Sequence, residues 1–323
     1  MISLTGATGY VGSAIAQELV RRGEPFRVLV RDPARLSFDP APTRCEVVAG
    51  DLRDPEAVNR FMKGSRFVIH TAALVKRWVR DRREFWQLNV EAFKHLCREA
   101  ADAGIERIVY TSSFIALGPS SNPGTGEGLR HPPACSNEYE RTKVAALEWL
   151  RSEGFRQFPV VALLPGVVYG PGPMTGGNLV GGMISQYRSK VPPAIVGSGR
   201  QKWSFAYNRD VVAAHLTALE NGETGREYVL GGDNRSLNDL YETLARLSGV
   251  RRAVMRIPFV AAKATGGLEV ALAFVSGRQP TLTPGVVEIF KHDWVYSSEK
   301  AKRELGYKVT PLEDGLQITL SAS

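Results

Sequence analysis

A short apolar run, Ile2-Ser3-Leu4-Thr5, ends in Gly6, and Gly9 and Gly12 follow three and six positions on. Behind them, Ala14 to Val20 carries the apolar spacing of a helix. Strand, glycine turn and helix in that order leave few folds open. A strand handed straight to a helix returns to its sheet as a parallel crossover. Glycines at this spacing let the backbone turn tightly and let a ligand approach it closely. The N–H groups of the first helical turn have no carbonyl partner, and with the helix dipole they hold an anion. The turn Gly6-Ala7-Thr8-Gly9-Tyr10-Val11-Gly12 is therefore read as the pyrophosphate site of a dinucleotide. A strand-to-helix turn without a ligand is the competing reading.

The alternation repeats along the chain. Phe26 to Val30 is an apolar, β-branched run that reads as a buried parallel strand, and Cys45 to Ala49 as a third. At the end of the first stands Arg31, where a carboxylate accepting from the ribose 2′-OH selects NAD and a guanidinium pairs with the 2′-phosphate of NADP. Arg31 points to NADP, with Arg35 as a second charge, while Asp32 leaves NAD open. Gly50-Asp51-Leu52 closes the third strand; Asp51 reaches the adenine or is a turn residue ahead of the Asp54-Pro55 helix start. Arg66 to Ala73 reads as a fourth strand and a small-residue turn, with His70 a packing residue and Thr71, Ala72 and Ala73 letting a cofactor lie against backbone. A helix over Glu84–Ala103 carries Asn89, a fifth strand over Ile105–Tyr110 closes on Thr111-Ser112-Ser113, and a sixth over Pro159–Leu164 closes on Pro165-Gly166-Val167-Val168. The predicted class is α/β: a Rossmann-type doubly wound parallel sheet over 1–169, with 205–230 returning to it, and a smaller mixed α/β substrate lobe from 170–204 and 231–323.

Bulk properties close off several classes. Hydrophobic content of 43% and charged content of 23% are those of a globular chain. Cys45, Cys97 and Cys135 are odd in number and scattered, with neither disulfide nor metal-site spacing, so no metal is expected and a reducing compartment is. The glycine turn begins too near Met1 to leave room for a signal peptide, and the expected location is cytoplasmic. Ile257 to Ser276 is the longest apolar stretch, but Lys263 and Glu269 interrupt it, so it is read as an apolar lobe helix without stable membrane insertion. The net charge of +8 comes with one dense cluster, Lys76 to Arg83, and no nucleic-acid-binding motif. That cluster is a solvated face or a mouth that attracts phosphate or carboxylate groups.

The chemistry sits on Ser113, Tyr139 and Lys143. Tyr139 and Lys143 are four apart on a predicted helix and share a face. A phenol is a poor acid near neutrality, at about 10, and a neighbouring ammonium favours the phenolate. Such a pair gives a proton to a carbonyl oxygen as hydride arrives at carbon, or takes it back in oxidation. A strand-end Ser hydroxyl hydrogen-bonds the same oxygen. Alone, a Tyr and a Lys at this spacing mean little; their place after the glycine turn and the strand-end Ser gives them weight.

Taken with Gly50-Asp51-Leu52, His70 to Ala73, Tyr110 to Ser113, Pro165 to Gly172 and the tail Ser298 to Tyr307, these motifs resemble an extended short-chain dehydrogenase/reductase along essentially the whole chain. Within that superfamily the chain is most similar to the dihydroflavonol reductase and 3β-hydroxysteroid dehydrogenase branch. The resemblance implies Ser113, Tyr139 and Lys143 as the catalytic triad, Lys143 on the nicotinamide ribose, Pro165 and Val168 against the nicotinamide, and Thr8, Tyr10 and Val11 in the cofactor turn. It also implies a possible homodimer through the helices of Asn89 and Lys143. The expected activity is an NADP-dependent interconversion of a ketone or aldehyde and an alcohol on a fairly apolar small molecule.

Nucleotide-sugar epimerases and dehydratases with bound NAD are the sister reading. Asn178 matches an Asn that contacts substrate in that branch, whereas Trp203 stands near where those enzymes place a diphosphate-binding Arg. A non-enzymatic NADP sensor on the same fold is a third reading, and retention of both Tyr139 and Lys143 speaks against it. Substrate choice is expected to rest on Leu74–Trp86, Pro119–Asn137 and Met174–Trp203.

Overall fold

In the computed structural model, residues 1–189 and 191–322 are described; Lys190 and Ser323, inside the predicted lobe ranges, lie outside them. The chain alternates from its start: β1 (Ile2–Thr5), α1 (Tyr10–Arg22), β2 (Phe26–Val30), β3 (Cys45–Ala49), α2 (Pro55–Met62), β4 (Phe67–His70), α3 (Arg83–Trp86), α4 (Ala92–Asp102), β5 (Arg107–Thr111), α5 (Glu138–Trp149), α6 (Phe155–Gln157) and β6 (Val160–Pro165). A π turn over Gln87–Glu91 joins α3 to α4 into the one long helix expected there. These strands and β10 (Glu227–Leu230) form a seven-stranded sheet in the order β10-β6-β5-β4-β1-β2-β3, parallel throughout.

The sequence explains the arrangement. All six residues of β6 are buried, as a strand covered by helices on both faces requires. Two apolar layers flank the sheet. One carries Phe61, Phe93, Leu96 and Leu147, the other Ile15, Leu19, Val211 and Leu219. α1 stops at Gly23, whose φ of 67° closes the helix onto the Val20 carbonyl. The chain leaves β1 for β2 on one side and later adds β4 on the other. The strand order therefore reverses beside β1, which opens a crevice at the C-terminal strand ends.

The remaining elements are β7 (Val167–Tyr169), α7 (Leu179–Arg188), β8 (Ala194–Val196), β9 (Lys202–Tyr207), α8 (Asn208–Asn221), β11 (Asp233–Ser236), α9 (Leu237–Ser248), β12 (Met255–Ile257), α10 (Phe259–Ser276), α11 (Pro284–Ile289), α12 (Glu299–Leu305) and α13 (Leu312–Ser321). They build a three-stranded sheet, β11-β9-β7, and a two-stranded one, β12-β8. α8 packs on α1. α10 differs from its expectation in one respect: it is long and apolar enough to cross a membrane by length and composition. The two charges that interrupt it in sequence are turned to protein partners. Lys263 pairs with Glu288 at 2.7 Å, and Glu269 accepts from the Thr281 N–H.

Candidate active site

At the glycine turn, Thr5 ends β1 and Thr71 follows β4. The Thr71 hydroxyl donates to the Thr5 carbonyl at 2.8 Å, and the Thr5 hydroxyl meets His70 Nδ1 at 2.8 Å. His70 is buried and stacked on Phe93, and burial drops its pKa to about 3. It is a neutral packing residue that fixes the β1 and β4 ends relative to each other. Gly6, at φ 80°, then passes so close to Thr71 and Ala72 that a Cβ would sit 2.7 Å from the Ala72 nitrogen. Gly9 caps α1 without any side-chain hydrogen bond, and the first-turn N–H groups of Tyr10, Val11 and Gly12 face the same space. A Cβ on Gly12 would collide with the Gly6 carbonyl. This cradle fits a pyrophosphate: its three glycines have no Cβ to block approach, and among the described residues no side chain holds the amides of Tyr10, Val11 and Gly12.

The cradle opens into a cavity of about 1280 Å³ that runs along the C-terminal strand ends. Apart from Asp32, the residues singled out from sequence as site candidates line it, from Gly6 to Trp203. Arg31 and Arg35 form part of its wall; Asp32 does not, because its carboxylate accepts from the Ala34 N–H and caps the turn over Pro33–Arg35. Asp51 lines the cavity and is a turn residue as well. It accepts from Arg53 Nε and the Arg53 backbone at 2.9 Å, and its hydrogen bonds with Arg53 hold its pKa down at about 2. Leu52, Thr71, Ala72 and Ala73 continue the same wall toward Pro165 and Val168.

At the far end stand Ser113, Tyr139 and Lys143. Ser113 follows β5 and caps a single turn, accepting from the Ile115 N–H at 3.4 Å. Tyr139 opens α5, which Asn137 caps by accepting from the Glu140 N–H at 2.9 Å. Lys143 is one turn on and buried, with its Nζ donating to the Thr111 carbonyl at 2.9 Å and to the Tyr110 hydroxyl at 3.4 Å. In the chain alone no neighbouring ammonium lowers the Tyr139 pKa. Burial pushes the Tyr139 phenol up to about 12, and its hydrogen bond with Ser113 works against that rise. Burial also brings Lys143 down to about 7. The ammonium is bonded to β5, so the phenol feels its burial more than the charge.

Two substrate candidates carry structural duties. Asn178 caps α7, accepting from the Gly181 N–H at 2.9 Å and donating to the Pro173 carbonyl at 3.3 Å. Trp203 is buried, lies 4.9 Å from the Phe290 ring, and leaves its indole N–H without a partner among the described residues.

Sequence reasoning missed two features. Asn89, which had no assigned chemistry, accepts from the Leu74 N–H at 2.7 Å and donates to the Leu74 carbonyl and the Thr142 hydroxyl. It ties the loop after β4 to α5, beside Lys143. The second is a cavity wall from α10, α11 and the turn between them, including Gly267, Val270, Gln279, Pro280 and Ile289. By contrast, of 119–137 only Ser136 and Asn137 reach the cavity. The signal for Asn89 is a polar residue on an otherwise apolar helix face; nothing in sequence marks which residues of the expected 231–323 lobe form the second wall.

Comparison with known proteins agrees with this geometry. Residues 2–231 match the family described as NAD dependent epimerase/dehydratase. Sterol demethylase protein B of Methylococcus capsulatus is 30% identical, over 94% of this chain and 92% of its own. A putative dihydroflavonol 4-reductase of Synechocystis is 27% identical, over 97% and 91%. In structure, the dTDP-glucose 4,6-dehydratase DesIV of Streptomyces venezuelae, solved with NAD and TYD bound, has a TM-score of 0.80 over 99% of this chain and 96% of its own, at 22% identity, which speaks for the fold. The chain is an NAD(P)-dependent enzyme acting on CH–OH groups. It belongs to the NAD-dependent epimerase/dehydratase family, among the extended short-chain dehydrogenases/reductases.

Proposed function

We propose that this chain is an NADP-dependent oxidoreductase that interconverts a ketone or aldehyde and an alcohol on a fairly apolar small molecule, with Tyr139 as general acid and base. The observation that carries the reading is the pairing of Tyr139 with Ser113 in one cavity with the glycine cradle. Bound nicotinamide dinucleotide supplies or accepts the hydride. Gly6, Gly9 and the first turn of α1 hold its pyrophosphate, and Arg31 with Arg35 meets a 2′-phosphate. Tyr139, protonated throughout the neutral range, delivers its proton to the substrate oxygen, and Ser113 holds that oxygen in place. Lys143, one helical turn on from Tyr139, offers its Nζ to the ribose hydroxyls. Trp78, Phe85, Leu88, Phe114, Trp203 and Phe290 line the same cavity and suit an apolar body.

The division into a cofactor unit over 1–169 with 205–230 and a substrate lobe over 170–204 and 231–323 belongs to the same proposal. The alternative is a nucleotide-sugar epimerase or dehydratase with retained NAD, and it draws on the DesIV likeness. Trp203, and the engagement of Asn178 in the α7 cap, count against it. Tyr139→Phe decides whether the phenol is the proton donor. With NADPH and a panel of apolar carbonyl compounds, turnover falls by about 10²–10⁴-fold while NADPH binding is kept. Full turnover in the variant would sink the mechanism. NAD released from the purified protein, with no exchange against added NADPH, would favour the epimerase reading.

A further inference from the structure

Among the described residues, nothing covers the outer face of α10. Val260, Leu268, Leu272 and Val275 are 82%, 62%, 57% and 90% exposed. With Ala264 and Ala271, also exposed, they fall within about 120° of arc at 100° per residue. The stripe runs from Val260 to Val275, about 24 Å of the 18-residue helix, and carries no charge. The opposite face, through Ala262, Gly266 and Ala273, is buried, with Gly266 against the backbone of Thr283 and Pro284. α10 is thus packed on the lobe through Ala262, Gly266 and Ala273.

The basic cluster meets this helix. Trp78, in the middle of the cluster, packs edge-on against Phe274 of α10 at 5.2 Å. Around that contact, Lys76, Arg77 and Arg80, and Arg278 just past the helix end, are exposed and have no ion pair among the described residues. An apolar stripe rimmed at one end by unpaired cations is complementary to a surface with an apolar interior and anionic headgroups. The same elements bound the cavity: Gly267, Val270 and Pro280 line it from the α10 side, and Lys76, Arg77 and Trp78 from across.

We infer that α10 and the Lys76–Arg80 loop dock on an anionic lipid surface, with the helix lying in the headgroup plane and the cavity mouth beside it. The docking stands on these surfaces alone. That an apolar substrate enters from the lipid rests on the proposed function, and the assay for docking does not use turnover.

The test is flotation of the full chain with vesicles of phosphatidylcholine alone and of phosphatidylcholine mixed with phosphatidylglycerol. The expected result is co-flotation with the mixed vesicles, weaker with the neutral ones and reduced by salt. Arg80→Glu with Arg278→Glu weakens binding to mixed vesicles by about fivefold or more per charge, and Leu272→Glu with Val275→Glu abolishes it. Circular dichroism and NADPH binding check that the variants are folded. No binding of the wild type to mixed vesicles overturns the proposal. So does equal binding of the Leu272 and Val275 variant. If sedimentation shows instead a dimer that these two glutamates dissociate, with no vesicle binding, a second copy of the chain is the occupant and the proposal is wrong.

Discussion

Gly6→Ala tests the cradle most directly, because two costs add at one atom. The first is conformational: at φ 80° an alanine enters the left-handed region, at about 1–2 kcal/mol. The second is steric. The new Cβ would stand 2.7 Å from the Ala72 nitrogen and 2.9 Å from the Thr71 carbonyl carbon, both backbone atoms that cannot swing aside. Relief requires the ends of β1 and β4 to separate, and overpacking of that kind costs about 1–3 kcal/mol. The sum is about 2–5 kcal/mol, a large part of a typical folding stability of about 5–15 kcal/mol. Gly23→Ala is the control. Its φ is 67°, but nothing lies within 4 Å of its Cβ position, so only the first cost applies. Urea unfolding of both variants at one pH separates the two costs, and NADPH titration reads the consequence for the ligand. Gly6→Ala loses more stability than Gly23→Ala and binds NADPH at least tenfold more weakly, while Gly23→Ala keeps its affinity. Equal stability losses in the two would refute the close approach of β1 to the Thr71-Ala72 turn.

Other outcomes follow from the site. Arg31→Glu lowers NADPH affinity by more than tenfold and leaves NADH less affected, as fluorescence titration with both reduced cofactors would read; an equal loss for both removes Arg31 as the 2′-phosphate partner. Asn89→Ala leaves the Leu74 amide and the Thr142 hydroxyl short of a partner and costs about 1–3 kcal/mol in urea unfolding. Lys143→Met changes how stability depends on pH. In the folded chain Lys143 titrates near 7, against an ordinary 10.5, so between these values the unfolded chain binds the extra proton. Stability of the wild type therefore rises across that window and the contribution is lost as pH falls toward 7. Unfolding curves at both ends of the window should show this gain in the wild type and not in Lys143→Met.

Much of this protein was legible in its sequence because the relevant constraints are local. The glycine spacing, the apolar parallel strands and the i, i+4 pair of Tyr139 and Lys143 each depend on a few neighbouring residues, and backbone sterics and helix geometry turn them directly into structure. The seven-stranded sheet and the cradle follow from that. What was not local had to wait for the tertiary structure. Whether Asp32 or Arg31 faces the cavity depended on a cap with Ala34. The balance between burial and charge at Tyr139 depended on how the sheet surrounds it and on the bond that turns Lys143 toward Thr111. The segment 267–290, distant in sequence, became a wall of the site through packing alone. Lys263 and Glu269 read as interruptions of an apolar helix, yet each is turned to a protein partner and the outer face of α10 is left without charge. The sequence determined which elements form and which residue types stand at their ends. The fold decided what each one faces, because burial, capping and charge pairing are set by neighbours that the order of residues does not name.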